Sequence, residues 1–250
     1  MRARTGPRAA ASRAGVLCAV RDGIASVALL RPRVDLRVAQ DLCAAAERIA
    51  FDPDVRVAVI EGPRAGFCLG SEGESDTWPD WVHAIGDLSV PTIAIIAGPA
   101  VGTGAELALA ADLRIAGPRA SFAFPHLADG ALPRHGATQR LPRIIGRTRA
   151  MELLLSGRRV GAHEAHRIGL VTQVSTQPAT AARAVAAELC EKGPIALRLA
   201  KEAVRASADL PLAAGVRLEQ DLYVLLQTTR DRAEGVRAFL AKRRPKFRGA

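Results

Sequence analysis

Two glycine-rich loops, each emerging from a short apolar-rich run, constrain this chain more than any other feature. The run at 55–60 leads into Gly62-Pro-Arg-Ala-Gly-Phe-Cys-Leu-Gly-Ser71-Glu-Gly, and the run at 92–97 leads into Gly98-Pro-Ala-Val-Gly-Thr-Gly104. Apolar runs of this length without alternation are strands covered on both faces. Around them the pattern predicts a hairpin over 16–30 turning at Asp22-Gly23, a helix over 36–51, a helix over 78–85 and a helix over 105–111. Short strands are predicted at 113–116 and 121–124. Strands alternating with helices make an α/β fold of parallel strands joined by crossover helices. Past Thr138 the periodicity is helical: 147–155, 162–167, 179–191, 194–207, 212–228 and 231–241. Asp231 and Glu234 have the spacing of an N-cap and its reciprocal partner.

At 250 residues with 49% apolar content, the chain can bury one large core, alone or with an appendage. Aromatics are only 4%, too few for stacking on single-stranded nucleic acid. No run approaches the roughly 20 apolar residues of a membrane span. The net charge of +10 rests on arginine, because only Lys192, Lys201, Lys242 and Lys246 are lysines. Arg2, Arg4, Arg8 and Arg13, without an acid among them, predict a disordered basic tail over 1–14. The helix at 36–51 sets Arg37 and Arg48 against Asp41 and Glu47, which argues against RNA binding. Cys18, Cys43, Cys68 and Cys190 lack metal-ligand spacing and read as buried free thiols of a cytoplasmic protein.

Several catalytic patterns fail on spacing. Gly102-Thr-Gly104 lacks the third glycine of a dinucleotide fingerprint, and no Walker lysine follows either loop. Leu69 stands where a nucleophile elbow at Ser71 needs glycine. His163 and His166 are three apart rather than four and read as an exposed helix face, so no metal site is expected. What survives is two loops rich in fixed backbone N–H donors, suited to an oxyanion that develops during reaction. Glu106 follows in the first turn of an apolar helix, where the helix dipole favours its anion and a carboxylate can do acid–base work.

These residues resemble the enoyl-CoA hydratase/isomerase (crotonase) superfamily. The resemblance is carried by Val90-Pro-Thr-Ile-Ala-Ile-Ile-Ala-Gly-Pro-Ala-Val-Gly-Thr-Gly-Ala-Glu-Leu-Ala-Leu-Ala-Ala-Asp112, by Gly136-Ala-Thr-Gln-Arg-Leu-Pro142, by Ala150-Met-Glu-Leu-Leu-Leu-Ser-Gly157 and by Arg167-Ile-Gly-Leu-Val171. The ending from Asp231 to Phe239, with Lys242-Arg-Arg-Pro-Lys-Phe247, completes it. It implies a crotonase-like spiral of ββα units of the ClpP type over 15–190. A C-terminal helical region over 191–250 would assemble trimers or dimers of trimers. It further implies an acyl-CoA thioester as substrate, no separate cofactor, no nucleic-acid or membrane partner, and a thioester enolate held by the backbone N–H groups of Ser71 and Thr103. Glu106 takes the position of the first catalytic glutamate. Arg31, Arg33, Leu69, Lys242 and Lys246 fall where the family meets coenzyme A.

The departures bear on the reaction. Where hydratases carry a second glutamate in Gln-Pro-Glu, this chain has Phe124-Pro-His126, so a histidine able to work near neutral pH replaces the second acid. Arg134-His135 replaces small residues, which places a second imidazole, His135, in the same region. Thr103 replaces a glycine and would be strained if its φ were positive. Three functions follow as expectations: a hydratase or isomerase using Glu106 with His126, a carbon–carbon hydrolase of a β-diketone or β-keto thioester using His126, and an acyl-CoA-binding protein without catalysis.

Overall fold

The computed structural model describes residues 15–63 and 66–250, so the basic tail expected over 1–14 lies outside the described residues. The hairpin pairs β1 (Val16–Arg21) with β2 (Ile24–Leu29), and Asp22 and Gly23 both take positive φ (52° and 80°) in its two-residue turn. Asp35 caps α1 (Leu36–Phe51) by accepting the Val38 N–H at 2.8 Å. Then come β3 (Val57–Glu61), α2 (Trp81–Gly86), β4 (Thr92–Ile96), β5 (Pro99–Val101), α3 (Thr103–Ala110), β6 (Leu113–Ala116) and β7 (Ser121–Ala123). A 3₁₀ turn (Pro125–Asp129) precedes α4 (Ala137–Ile145), α5 (Arg147–Ser156), β8 (Val160–Gly161), α6 (Ala162–Arg167), β9 (Gln173–Val174) and α7 (Pro178–Cys190). Helices α8 (Pro194–Ala206), α9 (Leu212–Gln227) and α10 (Arg230–Leu240) finish the chain.

The main sheet runs β1-β2-β3-β4-β6-β9, antiparallel only at the hairpin and parallel elsewhere, and β5-β7-β8 form a smaller sheet. Alternation along the strands divides the core. Val57, Val59, Ile93, Ile95 and Ile115 pack on Ala182 and Ala186 of α7. Ala58, Ile60, Ala94 and Ile96 belong to the larger core with α1, α2 and α3. Both faces being covered explains the lack of polar alternation. Every residue of α3 is buried, Thr103 and Glu106 included, because the rest of the helix is apolar on all sides.

Three differences from the sequence reading have physical causes, and a fourth concerns the cysteines. The second glycine loop contains β5, admitted as a strand because Pro99 sits at its first position, where no ladder donor is needed. Helix α4 is absent from the helices that the sequence predicts; Pro142 lies inside it, where the ring costs one intrahelical donor, and Gly146 (φ 83°) separates α4 from α5. Helix α10 is capped by Thr229, not Asp231. Asp231 is instead buried and accepts the N–H groups of Arg248 and Gly249, while Glu234 binds Arg243 and the Lys246 N–H. Cys18 and Cys68 are buried as expected, whereas Cys43 and Cys190 are only half-buried. His163 and His166 are exposed on α6. Helix α8 is tied to the sheet by Lys201, whose ammonium reaches the Val90 carbonyl (2.8 Å) and Asp112 (2.6 Å).

Candidate active site

The two glycine loops lie against each other. Cys68 and Ala100 form a parallel bridge, with Val101 N–H donating to the Cys68 carbonyl and Phe67 N–H to the Pro99 carbonyl, both at 2.9 Å. The contact is so close that a Cβ on Gly104 would stand 2.1 Å from the Cys68 carbonyl oxygen, so only glycine lets α3 begin there. Gly70 and Gly102 carry the positive φ angles of the two turns (101° and 56°). Thr103 does not, so its β-branched side chain is accommodated without backbone strain. The Ser71 and Thr103 hydroxyls are 3.2 Å apart, and neither backbone N–H has an acceptor among the described residues. Two backbone donors without an acceptor among the described residues therefore lie at the junction of the loops.

Glu106 follows Thr103 by three residues and shares its face of α3. It is fully buried. Its Oε1 accepts the N–H groups of His135 (2.9 Å) and Ala137 (3.1 Å), which fixes the carboxylate from outside the helix. Its Oε2 has no hydrogen-bond partner and faces His126 Nε2 at 3.4 Å. The imidazole sits on the 3₁₀ turn, is 13% exposed, and has both ring nitrogens unpartnered. Buried polar atoms are nearly always paired, so the facing Glu106 Oε2 and His126 Nε2, both without a hydrogen bond among the described residues, are an exception that stability alone does not call for.

His135 is also in the site, although not where a free acid–base group would stand. Its Nε2 contacts Glu74 at 2.5 Å and its Nδ1 contacts Asp80 at 3.1 Å, with the ring tilted against Trp81 at a centroid distance of 5.7 Å. Burial pulls its pKa down, but Glu74 and Asp80, with the charge of Glu106, outweigh that and hold it above the usual imidazole value. Glu74 is also hydrogen-bonded by the Ser71 hydroxyl. Burial pushes its carboxyl up, and the hydrogen bonds from His135 and Ser71 bring it below the usual carboxylate value. The His135 carbonyl accepts from Arg140 at 2.6 Å, so its backbone is clamped on one side while its N–H holds Glu106 on the other. Sequence reasoning missed Glu74 and Asp80. The signal available was the Ser71-x-x-Glu74 spacing inside the first loop.

The remaining expected residues divide into two places. The loop at 31–35 is stitched to the first glycine loop by Leu69 N–H to the Pro32 carbonyl (2.6 Å), Val34 N–H to the Gly70 carbonyl (3.0 Å) and Glu72 N–H to the Val34 carbonyl (2.8 Å). That brings Arg31, Arg33 and Leu69 beside Ser71. Arg31 faces Asp35 and Arg33 faces Glu72 at the surface. Lys242 and Lys246 lie in the C-terminal segment, where Lys246 lines a cavity of about 460 Å³ with Arg230, Glu234, Arg237 and Arg243. No hydrogen bond or ion pair among the described residues joins Lys242 or Lys246 to either glycine loop.

A sequence profile of the family described as enoyl-CoA hydratase/isomerase matches residues 19–250. The chain is 37% identical over 216 residues to 2,3-dehydroadipyl-CoA hydratase of Escherichia coli, covering 81% of this chain and 85% of that one. It is 36% identical over 250 residues to (E)-benzylidenesuccinyl-CoA hydratase of Thauera aromatica, covering 92% and 98%. Among solved structures, an enoyl-CoA hydratase from Bacillus anthracis superposes with a TM-score of 0.89 at 32% identity, over 94% of this chain and all of that one. With the paired glycine loops and the buried carboxylate beside them, these matches place the chain in the enoyl-CoA hydratase/isomerase family.

Proposed function

We propose that this acyl-CoA enzyme adds water to an α,β-unsaturated thioester, with Glu106 as the proton-transfer group and His126 assisting. The observation that carries the reading is the pair of unpartnered buried atoms, Glu106 Oε2 and His126 Nε2, set 3.4 Å apart next to the loop junction. In this reading the thioester oxygen lies between the Ser71 and Thr103 N–H groups. Water is held against both Glu106 Oε2 and His126 Nε2, to one side of the 3.4 Å gap. Its oxygen bonds to Cβ as its proton passes to Glu106, and the electron pair moves to the thioester oxygen as an enolate. A proton drawn from solvent then bonds to Cα, and Glu106 returns the proton it took from water to solvent, which restores the carboxylate. Each well-placed donor to such an enolate contributes on the order of 10²–10³ in rate.

A carboxylate base paired with an imidazole lacks the second carboxylic acid of a two-glutamate site, so hydration by this chain is slow. The test is crotonyl-CoA hydration followed by loss of the conjugated thioester absorbance. A slow reaction abolished by Glu106→Gln supports the reading. Consumption of a β-diketone without hydration would instead make His126 the centre of a carbon–carbon hydrolase, and tight acyl-CoA binding without any turnover would make the chain a binding protein. Arg31 and Arg33, beside Ser71, serve the coenzyme A end, with Leu69 packing against it. Lys242 and Lys246 carry charge suited to the phosphates of the same ligand. Self-association is supported by α9, which buries no residue and exposes Leu212, Val216, Tyr223, Val224 and Leu225; light scattering at three or six times the chain mass is the expected result.

A further inference from the structure

An unbroken line of side-chain hydrogen bonds runs from solvent to the junction of the glycine loops. Asp80, its side chain 56% exposed, accepts from His135 Nδ1, and His135 Nε2 contacts Glu74 Oε1. Glu74 Oε2 accepts the Ser71 hydroxyl, which lies 3.2 Å from the Thr103 hydroxyl. Asp80 Oδ1 also accepts the His83 N–H at 3.0 Å, so it faces His135 Nδ1 as an acceptor; with Glu74 ionised, Nε2 donates to Oε1 and the imidazole carries both protons. The Ser71 Oγ end of the line is one carbon from the backbone of a residue that supplies one of the two enolate-holding N–H groups.

We propose that Ser71 Oγ exchanges the proton at the substrate's α-carbon, with Glu74 and His135 carrying that proton to and from solvent through Asp80. The inference rests on the reading of Ser71 and Thr103 as the enolate-holding pair, and it supplies the step that Glu106, engaged with water, does not. In the deprotonating direction the Cα–H bond breaks and its electron pair moves to the thioester oxygen. The proton bonds to Ser71 Oγ as the hydroxyl's own proton passes to Glu74 Oε2. His135 then releases its Nδ1 proton to Asp80 and onward to water, leaving Glu74 protonated and the total charge of the line unchanged. Reversal delivers a solvent proton to Cα during hydration. Ser71 is thus the catalytic hydroxyl, and Glu74 and His135 act through it.

The test is exchange of the α-hydrogens of butyryl-CoA in D₂O, read by mass spectrometry, with butyryl-CoA affinity measured alongside. A saturated thioester cannot be hydrated, so exchange isolates the α-carbon step. Ser71→Ala keeps the backbone N–H, and Glu74→Gln keeps the shape of the carboxylate. Each is expected to slow exchange on the order of 10²-fold with affinity within about twofold, and the double variant to be no slower than either alone, because the groups act as a unit. Wild-type exchange rates in both single variants would overturn the relay while leaving the functional reading intact. A loss in Glu74→Gln that Ser71→Ala does not share, or one matched by an equal loss of affinity, would also overturn it. A wild-type protein that binds no butyryl-CoA would overturn the functional reading and the relay together.

Discussion

Replacing Glu106 by glutamine and by alanine should separate its chemical role from its structural one. The carboxylate is fully buried and accepts two backbone N–H groups, from His135 and Ala137, through Oε1. Glutamine keeps an oxygen in that position, and its amide can donate toward His126 Nε2, 3.4 Å from the present Oε2. Its stability should fall by less than about 1 kcal/mol, because both buried donors stay paired. Alanine strands both donors at roughly 1–3 kcal/mol each, so about 2–6 kcal/mol in all. That is a large share of a typical 5–15 kcal/mol, and it lowers Tm on the order of 10 °C for a domain of this size. Both variants lose the proton-transfer group and should hydrate crotonyl-CoA about 10²–10⁴-fold more slowly. Scanning fluorimetry and the loss of enoyl absorbance measure the two effects on the same samples. A glutamine variant at wild-type rate, or an alanine variant as stable as the glutamine one, would refute the reasoning.

Gly104→Ala should separate the two loops, since its Cβ would lie 2.1 Å from the Cys68 carbonyl; activity should fall at least 10²-fold if a hole donor is displaced, and an unchanged rate would contradict that geometry. The Glu74–His135 pair gives a bounded pH signature. Glu74, lowered on folding, stabilises above its ordinary value of 4.5 and loses that contribution as pH falls through the lowered native value; His135, raised, stabilises below its ordinary 6.5 and loses it as pH rises through the raised native value. The Tm gap between wild type and Glu74→Gln should therefore be widest between 4.5 and 6.5 and narrow on both sides, and a gap that only grows with pH would contradict this. Burial raises the Cys68 thiol to about 11, so native protein treated with iodoacetamide near pH 8 should leave Cys68 unmodified until it is unfolded. Labelling of Cys68 at the rate of a free thiol would count against its burial.

The fold was legible where one physical signal acted alone. Helix α1 was legible because Val38, Leu42, Ala45 and Ile49 repeat at helical spacing, and the hairpin because Asp-Gly suits a tight turn. Helix α4 was illegible because local rules end a helix at Pro142, whereas packing of Leu141 and Ile145 into the core overrides one missing donor. Asp231 misled for a related reason: its partners, Arg248 and Gly249, come from the far end of the helix and tail, and no local spacing reveals them. The site shows the same division. Ser71, Thr103 and Glu106 stand in contiguous motifs, so their placement could be expected from sequence. The Glu74–His135–Asp80 line joins residues 55 to 61 positions apart, and only the folded chain brings them together.

The central claim is that Glu106 works here with an imidazole where a second carboxylic acid would complete a hydratase. The most direct measurement is the rate of crotonyl-CoA hydration by the wild-type protein and by His126→Glu, with the residual rate in Glu106→Gln as the floor. The account predicts slow hydration above that floor in the wild type and a gain of about 10²-fold or more in His126→Glu, the scale of one added acid–base group. Fast wild-type hydration that His126→Glu diminishes would contradict it, and would make His126 itself the competent acid.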